Sequence, residues 1–197
     1  MSAGHWSHVI LGGARSGKSR HALDLARSAQ APRTAFLATA EPRDGGMAMR
    51  IAGHRSERPP VWLTVEEPFD VVGTCGRLVD RADLVILDCL TLWVSNRLLR
   101  GDEDQAILGD GAELARLLAS PPYSIIVVSN EVGEGVHPPT VIGLRFRDIL
   151  GLVNQQVAAA AQHVTLMVAG IPVRVKHRPN ASAAVIPASH DRAPEAP

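Results

Sequence analysis

Apolar residues run in short unbroken blocks along this chain, and the blocks alternate with segments of helical spacing. Residues 8–11 (HVIL) read as a first strand. From Lys18 the spacing becomes helical through Ala22, Leu25, Ala26 and Ala29. Residues 34–38 (TAFLA) form a second strand, residues 47–57 a helix with Met47, Ile51 and His54 on one side, and residues 62–65 a short strand. Glu66, Glu67 and Pro68 suit a helix start, and that helix is expected to reach about Arg81. Residues 83–87 (DLVIL) give a buried strand closed by Asp88, and a helix follows over 90–99. A Gly/Asp-rich connector over 101–111 overlaps a further helix that ends near Ser120, before Pro121 and Pro122. The remainder reads as a strand over 123–129, a Gly/Pro-rich loop over 130–140, a long helix over 142–162, a strand over 163–169 and one more over 171–176.

Unbroken apolar strands need cover on both faces. The pattern therefore predicts an α/β fold, a mostly parallel sheet with helices on both sides. A single domain is expected over residues 1–176. From His177 onward Pro, Ala, Ser and Arg follow no period, and 177–197 is expected to be a disordered tail. Residues 153–173 carry no charged side chain, but they contain Asn154, Gln155, Gln156, Gln162, Gly170 and Pro172. A helix end running into a buried strand explains them better than a membrane span.

Composition narrows the classes. The formal net charge is zero and the pI is near 7.1, which supplies no basic field for nucleic acid or an acidic membrane. Cys75 and Cys89 are too few for a disulfide framework, and the polar start MSAGHWSH does not resemble a secretory leader, so a cytoplasmic location is expected. Lysine occurs only at 18 and 176.

Lys18 lies in the one strong motif. Gly12, Gly13, Ala14, Arg15, Ser16, Gly17, Lys18 and Ser19 match G-x-x-x-x-G-K-[ST] between a strand and a helix, the context a phosphate-binding loop requires. Glycines let successive N–H groups converge on phosphate oxygens, and the helix start adds its positive dipole end. Lys18 is expected at the β- and γ-phosphates and Ser19 on Mg²⁺. Asp88, closing a strand of four apolar residues, suits the second Mg²⁺-holding position, with capping of the following helix as the alternative. His54 is a different kind of candidate. Arg50 and Arg58 stand four residues to either side of it; neighbouring cations lower an imidazole pKa, and a neutral imidazole is a nucleophile. Spacing alone does not separate this from a solvated helix histidine.

At this point several blocks together resemble a known family. GGARSGKSRHA (12–22), ATAEPRD (38–44), MRIAGHRSERP (49–59), TVEEP (64–68), LVILDCLTLWVSN (84–96), SNEVGEGVHP (129–138) and FRDILGLVNQQVAAAAQHV (146–164) run in the order of the bifunctional adenosylcobinamide kinase/adenosylcobinamide-phosphate guanylyltransferases of cobalamin biosynthesis. The resemblance implies a RecA-like P-loop fold, a homotrimer and two reactions. The first phosphorylates adenosylcobinamide with ATP or GTP. The second moves GMP from GTP to the product through a covalent histidine–GMP adduct, for which the R-I-x-x-H block points to His54. It further implies nucleotide contacts at Ala38, Thr39, Ala40, Arg55, Ser56, Glu57, Arg58 and Glu66. Asn130 and Glu131 fall at the ligand-binding edge of such a sheet, and Arg145, Arg147 and Asn154 are candidates for corrinoid or phosphate contacts. The residues alone also admit a monofunctional kinase of another small metabolite, a nucleotide switch or a motor subunit. The switch lacks an N-K-x-D guanine motif, and the motor is disfavoured by the neutral charge.

Overall fold

In this computed structural model residues 4–41, 53, 55, 58–135 and 137–178 are described. β1 (Ser7–Gly12) leads through a tight turn into α1 (Lys18–Ala29), followed by β2 (Thr34–Ala38) and β3 (Leu63–Glu66). Next come α2 (Val71–Arg77), β4 (Leu84–Asp88), α3 (Leu90–Arg100), α4 (Asp104–Ala119), β5 (Ser124–Val128), α5 (Val141–Ala160), β6 (His163–Val168) and β7 (Ile171–His177). The strands form one seven-stranded sheet in the order β3-β2-β4-β5-β1-β6-β7. All neighbours are parallel except β6 and β7.

Alternate residues along the strands feed two cores. Val9, Leu37, Val85, Leu87, Ile125 and Val127 face α2, α3, α4 and α5 around the fully buried Trp93. Ile10, Phe36, Ile86, Ile126 and Met167 face α1 through Ala22, Leu23 and Ala26. This two-sided burial is why the central strands read as continuous apolar runs.

Apart from the helix expected over 47–57, most of which lies outside the described residues, the predicted order of elements is observed, with three corrections. The helix expected from Glu66 to Arg81 is only Val71–Arg77, because Glu66 is the last residue of β3, paired in register with Ala38. The Glu67 carboxylate then accepts from the N–H groups of Phe69 (3.0 Å) and Asp70 (2.9 Å), and the Asp70 side chain caps Gly73 N–H at 3.0 Å. At the other end Asp80 adopts a left-handed φ of 64°, which stops the helix. The glycine-rich connector shrinks to 101–103. Gly109 and Gly111 lie inside α4, where a Cβ at Gly111 would run into Gln156 and Val153 of α5, so this glycine serves close helix packing rather than a loop. Finally, the last strand runs one residue past its expected end at 176, to His177, and residues 179–197 of the expected tail lie outside the described residues. β7 turns back antiparallel because Ala169 (φ 51°) and Gly170 (φ 86°) make a two-residue left-handed hairpin turn.

Register places the chemistry at one sheet edge. Ala38 pairs with Asp88, Asp88 with Val128, and Val128 with Ile10, so the strand exits that follow all open on the same side as the turn after Gly12. β5 lies between the loop-bearing β1 and the Asp88-bearing β4. No helix among the described residues is long and apolar enough to cross a membrane.

Candidate nucleotide site

The turn from Gly12 to Lys18 is shaped by backbone positions only small residues tolerate. Gly12 has φ +147°, and a Cβ there would stand 2.6 Å from the Met167 carbonyl and 2.8 Å from Ser16 Oγ. Gly17, at φ +94°, occupies the N-cap of α1 without a side-chain cap, and no acidic residue lies in the first turn. The first N–H groups of α1 are thus left without a side-chain acceptor, the arrangement that suits an anion at a helix start. Arg15 adopts a left-handed φ of 56° between them. The loop is braced from outside: Gly170 N–H donates to Ser16 O (3.0 Å), and Glu131 N–H donates to Gly12 O (3.1 Å). Ser16 Oγ is buried with no hydrogen-bond partner, an orphaned donor inside the cradle that a phosphate oxygen would satisfy.

Lys18 is buried and donates from Nζ to Gly13 O at 2.6 Å, which holds the ammonium over the loop. Burial lowers its pKa, opposed by the nearby Cys89 and Asp88. Ser19 follows on the first turn of α1, half-buried. Ser19 and Asp88 present the hard oxygen donors that Mg²⁺ takes. The donor set around the loop therefore fits that ion.

The exit of β4 is tied to that of β2 by one hydroxyl. Thr39 Oγ1 donates to Cys89 O (2.7 Å) and accepts from Cys89 N–H (2.8 Å), while Thr39 N–H donates to Asp88 O (3.1 Å). Asn96 of α3 adds a bond to Thr39 O at 2.7 Å. Thr39 is fully buried, so it fixes the position of Asp88 through the backbone. The Cys89 thiol is pushed up to about 12 by burial, which leaves it a poor nucleophile beside the loop. At the exit of β5 the buried Asn154 of α5 accepts from Ser129 Oγ (2.7 Å) and donates to Asn130 O (2.9 Å) and to Glu131 Oε1 (3.4 Å). Burial, with Glu134 adding repulsion, raises the Glu131 carboxyl above its ordinary value.

The second candidate cluster is described only in part. His54, Ser56 and Glu57 lie outside the described residues, as does most of the predicted helix 47–57; Gly53 and Arg55 are helical. Arg55 forms a 3.7 Å ion pair with Glu66, both largely exposed. Arg58 itself is not helical, and its guanidinium carbon sits 3.6 Å from the centre of the Phe36 ring. Ala38 and Ala40 stand at the exit of β2, Ala38 in register with Asp88. Three of the more distant candidates are committed to protein partners: Arg145 to Asp104 (2.6 Å), Arg147 to Asp148 (2.8 Å) and His137, and Asn154 to the bracket above. Phe36, Thr91 and Asn96 were not singled out from sequence. Phe36 sits in an ordinary strand, and the Thr91 hydroxyl accepts from Asn130 N–H (2.8 Å) across 39 residues. Neither has a local signal.

Solved structures similar to this chain include an ATPase of a bacterial type III secretion system, at 13% identity and a TM-score of 0.54, covering 83% of this chain and 51% of that one. The assembled ATPase EscN of enteropathogenic Escherichia coli gives 14% and 0.55, covering 84% and 43%. The chain spans about half or less of those proteins, and the likeness concerns the fold. Strand order, glycine loop and acidic strand end together define a P-loop fold with a RecA-like core.

Sequence comparison narrows the class. Residues 8–175 match the family described as cobinamide kinase / cobinamide phosphate guanyltransferase. A bifunctional adenosylcobalamin biosynthesis protein of Pseudomonas aeruginosa is 42% identical over 171 residues, covering 87% of this chain and 98% of that protein. Counterparts in Escherichia coli and Salmonella typhimurium are 39% and 38% identical, each covering 85% of this chain and 98% of theirs. This chain belongs to the cobinamide kinase / cobinamide phosphate guanyltransferase family.

Proposed function

We propose that this chain phosphorylates adenosylcobinamide with ATP or GTP and then transfers GMP from GTP to the phosphorylated product, through a covalent adduct on His54. The observation that carries the reading is the intact, braced loop within a chain that matches the family over residues 8–175. In the kinase step the loop N–H groups and Lys18 bind the β- and γ-phosphates, and the substrate hydroxyl attacks the γ-phosphorus as the β–γ bridging bond breaks. Glu131 is the better proton acceptor, because its carboxyl is raised above the ordinary range and its backbone is bonded to Gly12. Mg²⁺, held by Ser19 and Asp88, would supply charge neutralisation along the phosphates.

In the transfer step a neutral His54 nitrogen attacks the α-phosphorus, a P–N bond forms and pyrophosphate leaves. A phosphate oxygen of the corrinoid product then attacks the same phosphorus and the P–N bond breaks, which regenerates the imidazole. Ala38, Thr39, Ala40, Arg55, Ser56, Glu57, Arg58 and Glu66 surround the nucleotide in this reading, with Thr39 acting through backbone contacts. The protein works in the cytoplasm as a homo-oligomer, a trimer by its family, and needs neither nucleic acid nor a membrane. Incubation with α-labelled GTP and Mg²⁺ is expected to give an acid-labile, base-stable label on the protein, and His54→Ala should reduce it to background. Full labelling of a folded His54→Ala protein would refute the assignment.

A further inference from the structure

Arg58 and Phe36 form a contact that neither the loop nor the histidine explains. Phe36 is a buried residue of β2, two positions before Ala38 on the same face of the strand. Since a strand advances about 3.3 Å per residue, its ring lies roughly 7 Å below the sheet edge where Asp88 emerges. The Arg58 guanidinium lies across that ring at 3.6 Å. Stacking uses the planar face of a guanidinium and none of its five N–H donors. Nε is nevertheless buried and has no hydrogen-bond partner. Burial lowers the Arg58 pKa, and the Asp88 charge is the foremost influence opposing that shift. A buried guanidinium donor without an acceptor is costly to keep. Here it is kept beside the carboxylate at the mouth of the phosphate loop.

We propose that Phe36 is a positioning residue for the nucleotide: its ring holds the Arg58 guanidinium flat and oriented beside Asp88, so that the unmet Nε–H meets the triphosphate already fixed in place. The inference rests on the nucleotide site described above and adds to it the aromatic platform that sets the arginine's geometry. A lysine could supply the charge but not the stacked plane. Preorganisation of this kind shows in affinity, because less side-chain freedom is lost when the ligand binds.

The test is calorimetric titration of the full-length protein with GTP and Mg²⁺, using wild type, Phe36→Leu, Phe36→Tyr, Arg58→Ala, Arg58→Lys and the double variant Phe36→Leu/Arg58→Ala, each with a thermal melt. Phe36→Leu keeps the apolar volume and removes the ring, and should weaken GTP about tenfold. Phe36→Tyr should restore affinity to within about threefold of wild type. Arg58→Lys should lose about as much as Arg58→Ala. The double variant should bind no worse than Arg58→Ala alone, because the ring acts only through the arginine. A purely structural role predicts something else: a lower melting temperature with unchanged affinity, or a Phe36→Leu penalty of the same size in the Arg58→Ala background. Either result overturns the proposal. Should Phe36→Leu fail to fold, Arg58→Lys decides, and wild-type affinity in that variant overturns the proposal as well. Wild-type protein that binds no GTP removes the nucleotide site itself and this inference with it. Wild-type protein that binds GTP while Phe36→Leu matches it removes only the role of the ring.

Discussion

Two of the arginines that lie against aromatic rings end in opposite situations. Arg97, on α3, is buried, with its guanidinium carbon 5.7 Å from the Trp93 ring centre. It donates to Asp102 and, at 2.6 Å, to Asp110, while Arg100 reaches the Asp102 carboxylate at 2.5 and 2.7 Å. Asp102 is held at about 2, first by its Arg100 hydrogen bond and then by Arg97. Arg58 lies closer to its ring, yet its Nε has no acceptor. Where the donors are met inside the chain, the arginine closes the α3–α4 corner. Where one is left unmet, the arginine is the one we propose to meet an anion. A cleft of about 220 Å³ beside Arg97 and Arg100, between Phe69 and Asp110, contains none of the loop residues, so it falls on the structural side of this contrast.

The contrast is broken most decisively at the loop. Lys18→Ala should lower kinase turnover by about 100-fold or more, since the ammonium has no substitute over the β- and γ-phosphates, while the melting curve moves little. Near-normal turnover in a steady-state assay would remove Lys18 from the site.

At the α3–α4 corner the opposite split is expected. Arg97→Ala leaves the half-buried Asp102 carboxylate with one cation fewer and should cost about 2 kcal/mol in urea unfolding. GTP affinity of the protein that remains folded should not change. A shift below about 1 kcal/mol, or a parallel loss of affinity, would erase the distinction between the two regions.

A third region sharpens the rule, because there burial removes a charge instead of pairing it. His8, His163 and His177 stand opposite one another across β1, β6 and β7. His8 accepts or shares a hydrogen bond with Thr165 Oγ1 at 2.8 Å, and its pKa is lowered to about 3, mainly by burial and next by His163, His21, Arg174 and His177. The unfolded chain takes up this proton near pH 6.5, the folded chain only near 3, so the associated stability is whole above about 6.5 and is lost as pH falls from there toward 3. At pH 5 the loss should be about 2 kcal/mol relative to pH 7.5, read from denaturant melts. His8→Gln should flatten that part of the profile, and an unchanged slope would count against a neutral buried His8.

The smallest effect belongs to the surface. Arg145 and Asp104 pair at 2.6 Å with about two fifths of each side chain exposed. Arg145→Ala should cost less than about 1 kcal/mol. A larger loss, or a change in turnover, would move Arg145 out of the structural group and back toward the substrate contacts that the family resemblance allows.

The legible parts of this protein were those whose physics is contiguous in the chain. Gly12 to Ser19 declares itself because one turn must supply small residues, converging N–H groups, a lysine and a hydroxyl within eight positions. The buried strands declare themselves because both faces are covered, and residues 34–38 were read with the bounds that β2 shows. Sequence reading misplaced what depends on a partner elsewhere. The 66–81 helix was too long because pairing of Glu66 with Ala38 keeps that residue in the sheet. Gly111, which looked like part of a loop, lies in α4 where α5 approaches it. Arg58 read as part of a helical face, but it is not helical and its guanidinium lies on Phe36, a partner 22 positions earlier in the chain.

By itself, then, the amino-acid sequence determined the phosphate loop, the alternation of strands and helices, and the family, all of which are written in neighbouring residues or in the order of short blocks. Only the tertiary structure decided that Asp88 opens beside the loop through the register of β4 with β2 and β5, that Thr39 and Asn154 brace the edge, and that Phe36 carries Arg58. The physical reason is distance along the chain: a turn is set by the backbone angles of a few adjacent residues, whereas a hydrogen bond or a stacked ring needs two segments that only the packed sheet brings together.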